Sequence, residues 1–167
     1  MNNELSIRFA ELDDLNAIGF LAQQIWPQTY GKILEPAQLS YMMNLIYSPA
    51  SLRRQIIEDR HQFLVVEDNE EPVGFASYSL IGEPGVYKLQ KIYVLPDRQG
   101  KGMGKAILDF ILGEIIPQGA VALQLNVNRY NKARDFYERM GFSVIREEDI
   151  DIGQGYFMND YVMGKKL

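Results

Sequence analysis

The sequence has no cysteine, one histidine and one tryptophan in 167 residues. Without cysteine there is no disulfide scaffold, no thiolate nucleophile and no cysteine zinc site. A lone histidine, His61, excludes any two-histidine metal site, so no metal is expected. His61 precedes a strand on a charged stretch, which suits a surface or turn role better than a Ser-His-Asp triad. No apolar run approaches the ~18 residues of a membrane span. The opening Met1-Asn2-Asn3-Glu4 lacks the basic start and apolar stretch of a signal peptide. Basic residues are in deficit, 17 against 22 acidic ones, for a net charge of −5. A general nucleic-acid binder needs a basic face, so this balance argues against one. The chain is 47% hydrophobic and 23% charged, as ordinary globular proteins are. Its length suits one domain, residues 1–167, and the expected location is the cytoplasm.

Hydrophobic periodicity divides the chain into alternating strands and helices. Leu5, Ile7 and Phe9 alternate with Ser6, Arg8 and Ala10 as in a strand. Asp13 or Asp14 can cap a helix whose apolar face is Leu15, Ile18, Leu21, Ala22 and Ile25, and Trp26-Pro27 is expected to end it. Residues 35–47 form a second helix, broken by Ser48-Pro49, and Ser51 to Asp59 a further short one. Strands follow at Phe63–Glu67, Val73–Ile81 and Val86–Leu95, separated by Asp68-Asn69-Glu70-Glu71 and Gly82-Glu83-Pro84-Gly85. A helix runs from Gly102 to Ile116, a strand from Ala120 to Val127, and a helix from Asn131 to Met140 with Gly141 as its C′ residue. Phe142–Ile150 and Tyr156–Met163 are the last strands. The main order, β-α-α-β-β-β-α-β-α-β-β, predicts a mixed α/β (α+β) fold with helices on the faces of one sheet.

Charge is unevenly spread. Residues 86–105 hold Lys88, Lys91, Arg98, Lys101 and Lys105 against Asp97, so this stretch is 5 − 1 = +4 and the remainder −9. A basic island in an acidic chain points to a bound anion. It also contains Gly100, Gly102 and Gly104 between a strand and a helix. The unpaired N–H groups of a first helical turn, with the helix dipole behind them, form an anion site, and glycines let oxygens approach the backbone. The letters do not fit a Rossmann fingerprint, since the spacing is G-x-G-x-G and Gln124 stands where an acid would be. They do not fit a Walker loop either, because Ala106 follows Gly104-Lys105. A tight turn with glycines for packing is the remaining structural alternative.

The loop does match Q/R-x-x-G-x-G/A, as Gln99-Gly100-Lys101-Gly102-Met103-Gly104 preceded by Arg98. This resembles the pyrophosphate loop of the GNAT acetyltransferase superfamily, and the order of elements resembles that family over essentially the whole chain. The resemblance implies a mostly antiparallel sheet of about seven strands and acetyl-CoA as donor. It implies cofactor contacts from the loop, Gln99 to Lys105, and from the main chain of Ile92, Tyr93 and Val94. Asn131 to Phe142, N-x-x-A-x-x-F-Y-x-x-x-G-F, is similar to a second signature of the family. The family's tyrosine there often points at the cofactor sulfur, which implies Tyr137 as general acid for the departing thiolate. A phenol near its reference pKa of ~10 stays protonated at neutral pH and can donate. Without cysteine, a cysteine acyl-enzyme is excluded, and direct transfer is expected.

Other positions keep two readings. Asn131 caps a helix locally, and the resemblance implies contact with the CoA arm. Asn126 and Asn128 either pair with nearby backbone where strands four and five separate, or touch pantetheine or substrate. Glu147, Glu148, Asp149 and Asp151 form either a solvated strand edge or a surface attracting a cationic substrate. In this fold the first helices and last strands usually wall the acceptor site, which implies Trp26, Tyr30, Glu35, Tyr41 and Asp160 as substrate residues. Aromatics with carboxylates suit a small-molecule amine, and T-Y-G with Y-F-M-N-D-Y is similar to bacterial polyamine acetyltransferases. Glu35, Glu83 and Asp160 are candidate bases, with a water relay as the alternative. A homodimer is implied by family habit alone. The rival functions are a GNAT enzyme acting on a protein N-terminus, lysine or aminoglycoside, and a non-catalytic acyl-CoA-binding module.

Overall fold

The computed structural model describes residues 5–167, so Met1 to Glu4 and the signal-peptide expectation resting on them lie outside the described residues. The strands are β1 (Leu5–Phe9), β2 (Gln62–Asp68), β3 (Glu71–Gly82), β4 (Val86–Val94), β5 (Ala122–Asn128), β6 (Ser143–Gly153) and β7 (Tyr156–Lys166). The helices are α1 (Leu15–Tyr30), α2 (Pro36–Tyr47), α3 (Pro49–Ile57), α4 (Met103–Ile115) and α5 (Ala133–Arg139). The strands form one seven-stranded sheet in the order β1-β2-β3-β4-β5-β7-β6. The mixed sheet and the element order agree with the sequence, and α3 is the short helix expected before β2. The chain divides into two compact units, residues up to Ser79 with Gln90–Gly113, and Leu80–Leu89 with Glu114–Leu167. Among the described residues, no helix is long and apolar enough to cross a membrane.

In the first unit, β1 and β2 pair antiparallel, as do β2 and β3. Leu64, Val66 and Phe75 are fully buried, and α1 adds Ile18, Leu21, Ala22 and Ile25, the face its helical spacing predicts. The expected end of α1 at Trp26-Pro27 is overturned, for the helix runs through Pro27 to Tyr30. A helical proline forfeits one backbone hydrogen bond. Here the next turn sets the Tyr30 ring 4.6 Å from that of Trp26, and both rings are buried. That packing extends the helix beyond its breaker. Neither Asp13 nor Asp14 caps α1 with its side chain; Asp14 instead accepts the Glu11 N–H at 2.8 Å and pairs with Arg8. Ser48 caps α3, accepting the Ser51 N–H at 3.3 Å, so α3 starts two residues earlier than its apolar pattern suggests.

In the second unit, β4 and β5 run parallel from Val86↔Ala122 to Leu89↔Leu125, and β7 pairs antiparallel with both β5 and β6. Strand alternation gives β5 a buried face of Leu123, Leu125 and Val127. Gln124, Asn126 and Asn128 point to the other face. Register puts Asp160 of β7 opposite Asn128, and Glu148 of β6 opposite Asp160, so these polar groups share that second face.

Candidate active site

The glycine loop follows β4 through a short 3-10 turn at Pro96–Arg98. Gly100 and Gly102 have φ of 76° and 79°, the left-handed region open to glycine. A Cβ at either would meet nothing within 4 Å, so conformation and not crowding demands glycine here. The first bond of α4 runs from the Ala106 N–H to the Gly102 carbonyl, 3.0 Å. The N–H groups of Met103, Gly104 and Lys105 therefore precede the helical ladder. Open space over two left-handed glycines, in front of those donors and the dipole of a 13-residue helix, fits a pyrophosphate. Lys101 is exposed on this loop.

The basic island is less free than its sequence implies. Lys105 pairs with Asp109 at 2.7 Å, Arg98 pairs with Asp68, and Lys91 donates to Gln55 while lying over the Phe63 ring. Lys88 is partly buried, faces Glu148 and Asp160, and burial lowers its pKa. With these cations engaged elsewhere, the backbone donors are what the loop chiefly offers to an anion.

The end of β4 is fastened on several sides. Leu95 N–H donates to the Val73 carbonyl at 2.9 Å, and the Gln99 side-chain amide donates to the Val94 carbonyl at 3.1 Å. A Cβ on Gly74 would stand 2.7 Å from the Tyr93 carbonyl oxygen, so glycine permits this close approach of β3. Ile92 and Tyr93 are partly exposed and Val94 is buried. The Tyr93 hydroxyl lies 3.0 Å from that of Tyr30, and Trp26 Nε1 donates to the Tyr47 hydroxyl at 3.0 Å. Trp26 and Tyr30, named for the substrate from sequence, thus belong to a packed aromatic cluster with Tyr47, Phe75 and Tyr93. Tyr41 is half-buried on α2, and Glu35 is exposed where α2 begins.

In the second unit, Tyr137 is 7% exposed, with the Phe136 and Phe142 rings 5.3 and 5.9 Å from its own. Its place is fixed by the end of α5. The Gly141 N–H donates to the Glu138 carbonyl and the Phe142 N–H to the Tyr137 carbonyl, with Gly141 at φ 95°. These two bonds make a Schellman cap, which the sequence signals through Gly141. Asn131 does not cap α5, whose N-cap is Lys132; its side chain instead accepts the Ala133 N–H at 3.0 Å in a turn just before the helix, which begins later than expected.

Asn128 accepts the Tyr130 N–H at 2.9 Å, the backbone pairing that is the first of its two readings. Asn126 instead donates to Asp160 Oδ2 at 3.3 Å. Asp160 is buried, and among the described residues its Oδ1 has no hydrogen-bond partner. Desolvation pushes its carboxyl above the usual range, while Asn126, Lys88 and Arg129 act in the opposite sense. The acidic run on β6 is partly neutralised, with Arg129 2.8 Å from Asp149 and Arg146 2.8 Å from Glu148. β6 is an edge strand, which accounts for much of that acidity. Sequence reasoning missed the Arg98–Asp68 pair and the Lys88–Asp160 neighbourhood. Only the fold joins such distant residues; Arg98 and Asp68 are 30 positions apart.

Residues 32–156 match the family model described as an acetyltransferase (GNAT) domain. Among curated proteins, the chain is 30% identical over 99 residues to the ribosomal protein bS18-alanine N-acetyltransferase of Haemophilus influenzae, covering 59% of this chain and 63% of that one. It is 25% identical to the spermidine N(1)-acetyltransferase of Thermoplasma acidophilum, covering 97% of each chain. Among solved structures, the PaiA N-acetyltransferase of Thermoplasma acidophilum in complex with coenzyme A superposes with a TM-score of 0.84 at 25% identity, over 98% of this chain and 99% of that one.

Proposed function

Since the chain belongs to the GNAT acetyltransferase family, we propose that it transfers acetyl from acetyl-CoA to a primary amine, and that this amine is a polyamine such as spermidine. The assignment takes residues 1–167 as one acetyltransferase domain, supported by a family model that runs through both compact units. The observation carrying the donor assignment is the pair of left-handed glycines ahead of α4. Acetyl-CoA supplies, when bound, an acetyl group activated as a thioester. The N–H groups of Met103, Gly104 and Lys105 bind its pyrophosphate, and the main chain of Ile92 to Val94 orients its arm. Tyr137 holds a proton at its phenol oxygen for the departing sulfur.

Among the three candidate bases, Glu35 and Glu83 are exposed and Asp160 is buried with a raised pKa. A base nearer neutrality takes a proton from an ammonium more effectively, so Asp160 is assigned that step. The full-length likeness to a spermidine acetyltransferase favours a polyamine. The bS18-alanine relative favours a second reading, the N-terminal amine of a protein.

The donor assignment is tested by Gly102→Asp, which puts a like charge where phosphates sit and strains a backbone at φ 79°. The expected outcome is CoA affinity reduced at least about tenfold in calorimetry, with the fold retained. Unchanged affinity in the folded variant would remove the loop from the donor site.

A further inference from the structure

We propose that Asp68 is a positioning residue for CoA binding: its ion pair with Arg98 sets the glycine loop before the ligand arrives. The proposal rests on assigning that loop to the CoA pyrophosphate. Asp68 closes β2 at the hairpin turn Asn69-Glu70 and is 7% exposed. Its Oδ2 accepts a hydrogen bond from Arg98 Nη1, and its Oδ1 is buried with no hydrogen-bond partner among the described residues. Arg98 therefore neutralises a buried carboxylate and is drawn toward β2. The exposed Asp97 carboxylate is a distant second neighbour, 3.9 Å from Arg98 Nε.

Two further bonds hold the same segment, Arg98 N–H to the Leu95 carbonyl at 2.8 Å and the Gln99 amide to the Val94 carbonyl at 3.1 Å. Past them, Gly100, Lys101 and Gly102 are exposed, and the next buried side chain is Met103. Glycines have wide conformational freedom, so the curve of this stretch is governed by its two ends. With both ends fixed, the backbone donors are already arranged. With one end loose, the ordering cost falls on affinity. An ion pair that buries a carboxylate against a part-exposed guanidinium is a weak device for stability alone, which favours a conformational role for this one.

The rival is that Arg98 itself touches phosphate, in which case removing Asp68 frees Arg98 and CoA binds as well or better. The test titrates CoA by calorimetry into wild type, Asp68→Asn, Arg98→Gln and the double variant, with steady-state kinetics on each. Positioning predicts a CoA Kd and an acetyl-CoA KM raised about five- to tenfold in Asp68→Asn. It predicts an unchanged amine KM, an unchanged kcat at saturating acetyl-CoA, and a double variant no weaker than the weaker single one. Asp68→Glu keeps the charge and should recover part of the loss, which covers the case of Asp68→Asn failing to fold. Unchanged or tighter CoA binding by folded Asp68→Asn overturns the proposal, as does an equal rise in both KM values. If wild type itself binds no CoA, the loop assignment falls and takes the proposal with it, an outcome distinct from a loss confined to the variants.

Discussion

The Tyr137 ring packs against those of Phe136 and Phe142, so removing its hydroxyl alone tests that atom's role with little repacking. Tyr137→Phe keeps the ring and loses the proton donor. Its kcat should fall at least ~100-fold, the lower range of general acid catalysis, with CoA affinity nearly unchanged. Single-turnover acetylation removes any masking by product release, and a rate within about threefold of wild type would direct attention to Tyr130 or Tyr93. Asp160 makes a prediction of a different kind. Burial raises its pKa, so the folded state binds the proton more tightly than the unfolded chain, whose value is ~3.9. Its contribution to stability is then full below the unfolded value and lost as pH rises through the folded one. Asp160→Asn should melt higher than wild type near about pH 8, converge with it toward about pH 4, and lose the acid limb of the kcat/KM profile. Equal melting shifts at both pH values would show that the carboxyl is not held out of its ordinary range.

At the scale of elements, the Schellman cap joins local chemistry to the site. Gly141 sits at φ 95°, and a Cβ there would also press on Lys165 Cε at 3.3 Å. Gly141→Ala should cost ~1–2 kcal/mol, lowering Tm by roughly 2–8 °C, and should lower kcat by shifting the turn that holds Tyr137. Thermal denaturation and turnover of the same preparation check both effects. This cap was legible in the sequence because it is local, a glycine just past an amphipathic stretch. The strands and α4 were legible for the same reason, since periodicity and breakers act within a few residues. The continuation of α1 through Pro27 was not, because it depends on Trp26 and Tyr30 joining Tyr47, Phe75 and Tyr93 in the core. The glycine loop was legible as a motif, whereas its fastening to Asp68 was not, because no periodicity links residues on different elements. Resemblance assigns Trp26 and Tyr30 to the substrate, whereas their burial shows that packing sets their positions.

At the scale of the whole molecule, a net charge of −5 attracts polycations at long range. That attraction is screened over ~8 Å at physiological salt, so a spermidine KM should rise with ionic strength while a neutral amine's should not. A flat salt response would remove steering, and the acidic edge strand would then serve only to keep the protein soluble and its sheet edge from pairing with another chain. Acetyl transfer to an amine is measured directly by thiol release from acetyl-CoA. Wild-type protein is mixed with acetyl-CoA and, separately, spermidine, spermine, a peptide with N-terminal alanine and a neutral amine, with the products weighed by mass spectrometry. The expected result is thiol release matched by N-acetylated product, strongest with the polyamines. Acetylation of the peptide alone would keep the reaction and replace the acceptor. Tight CoA binding with no thiol released by any amine would contradict acetyl transfer and leave a binding module.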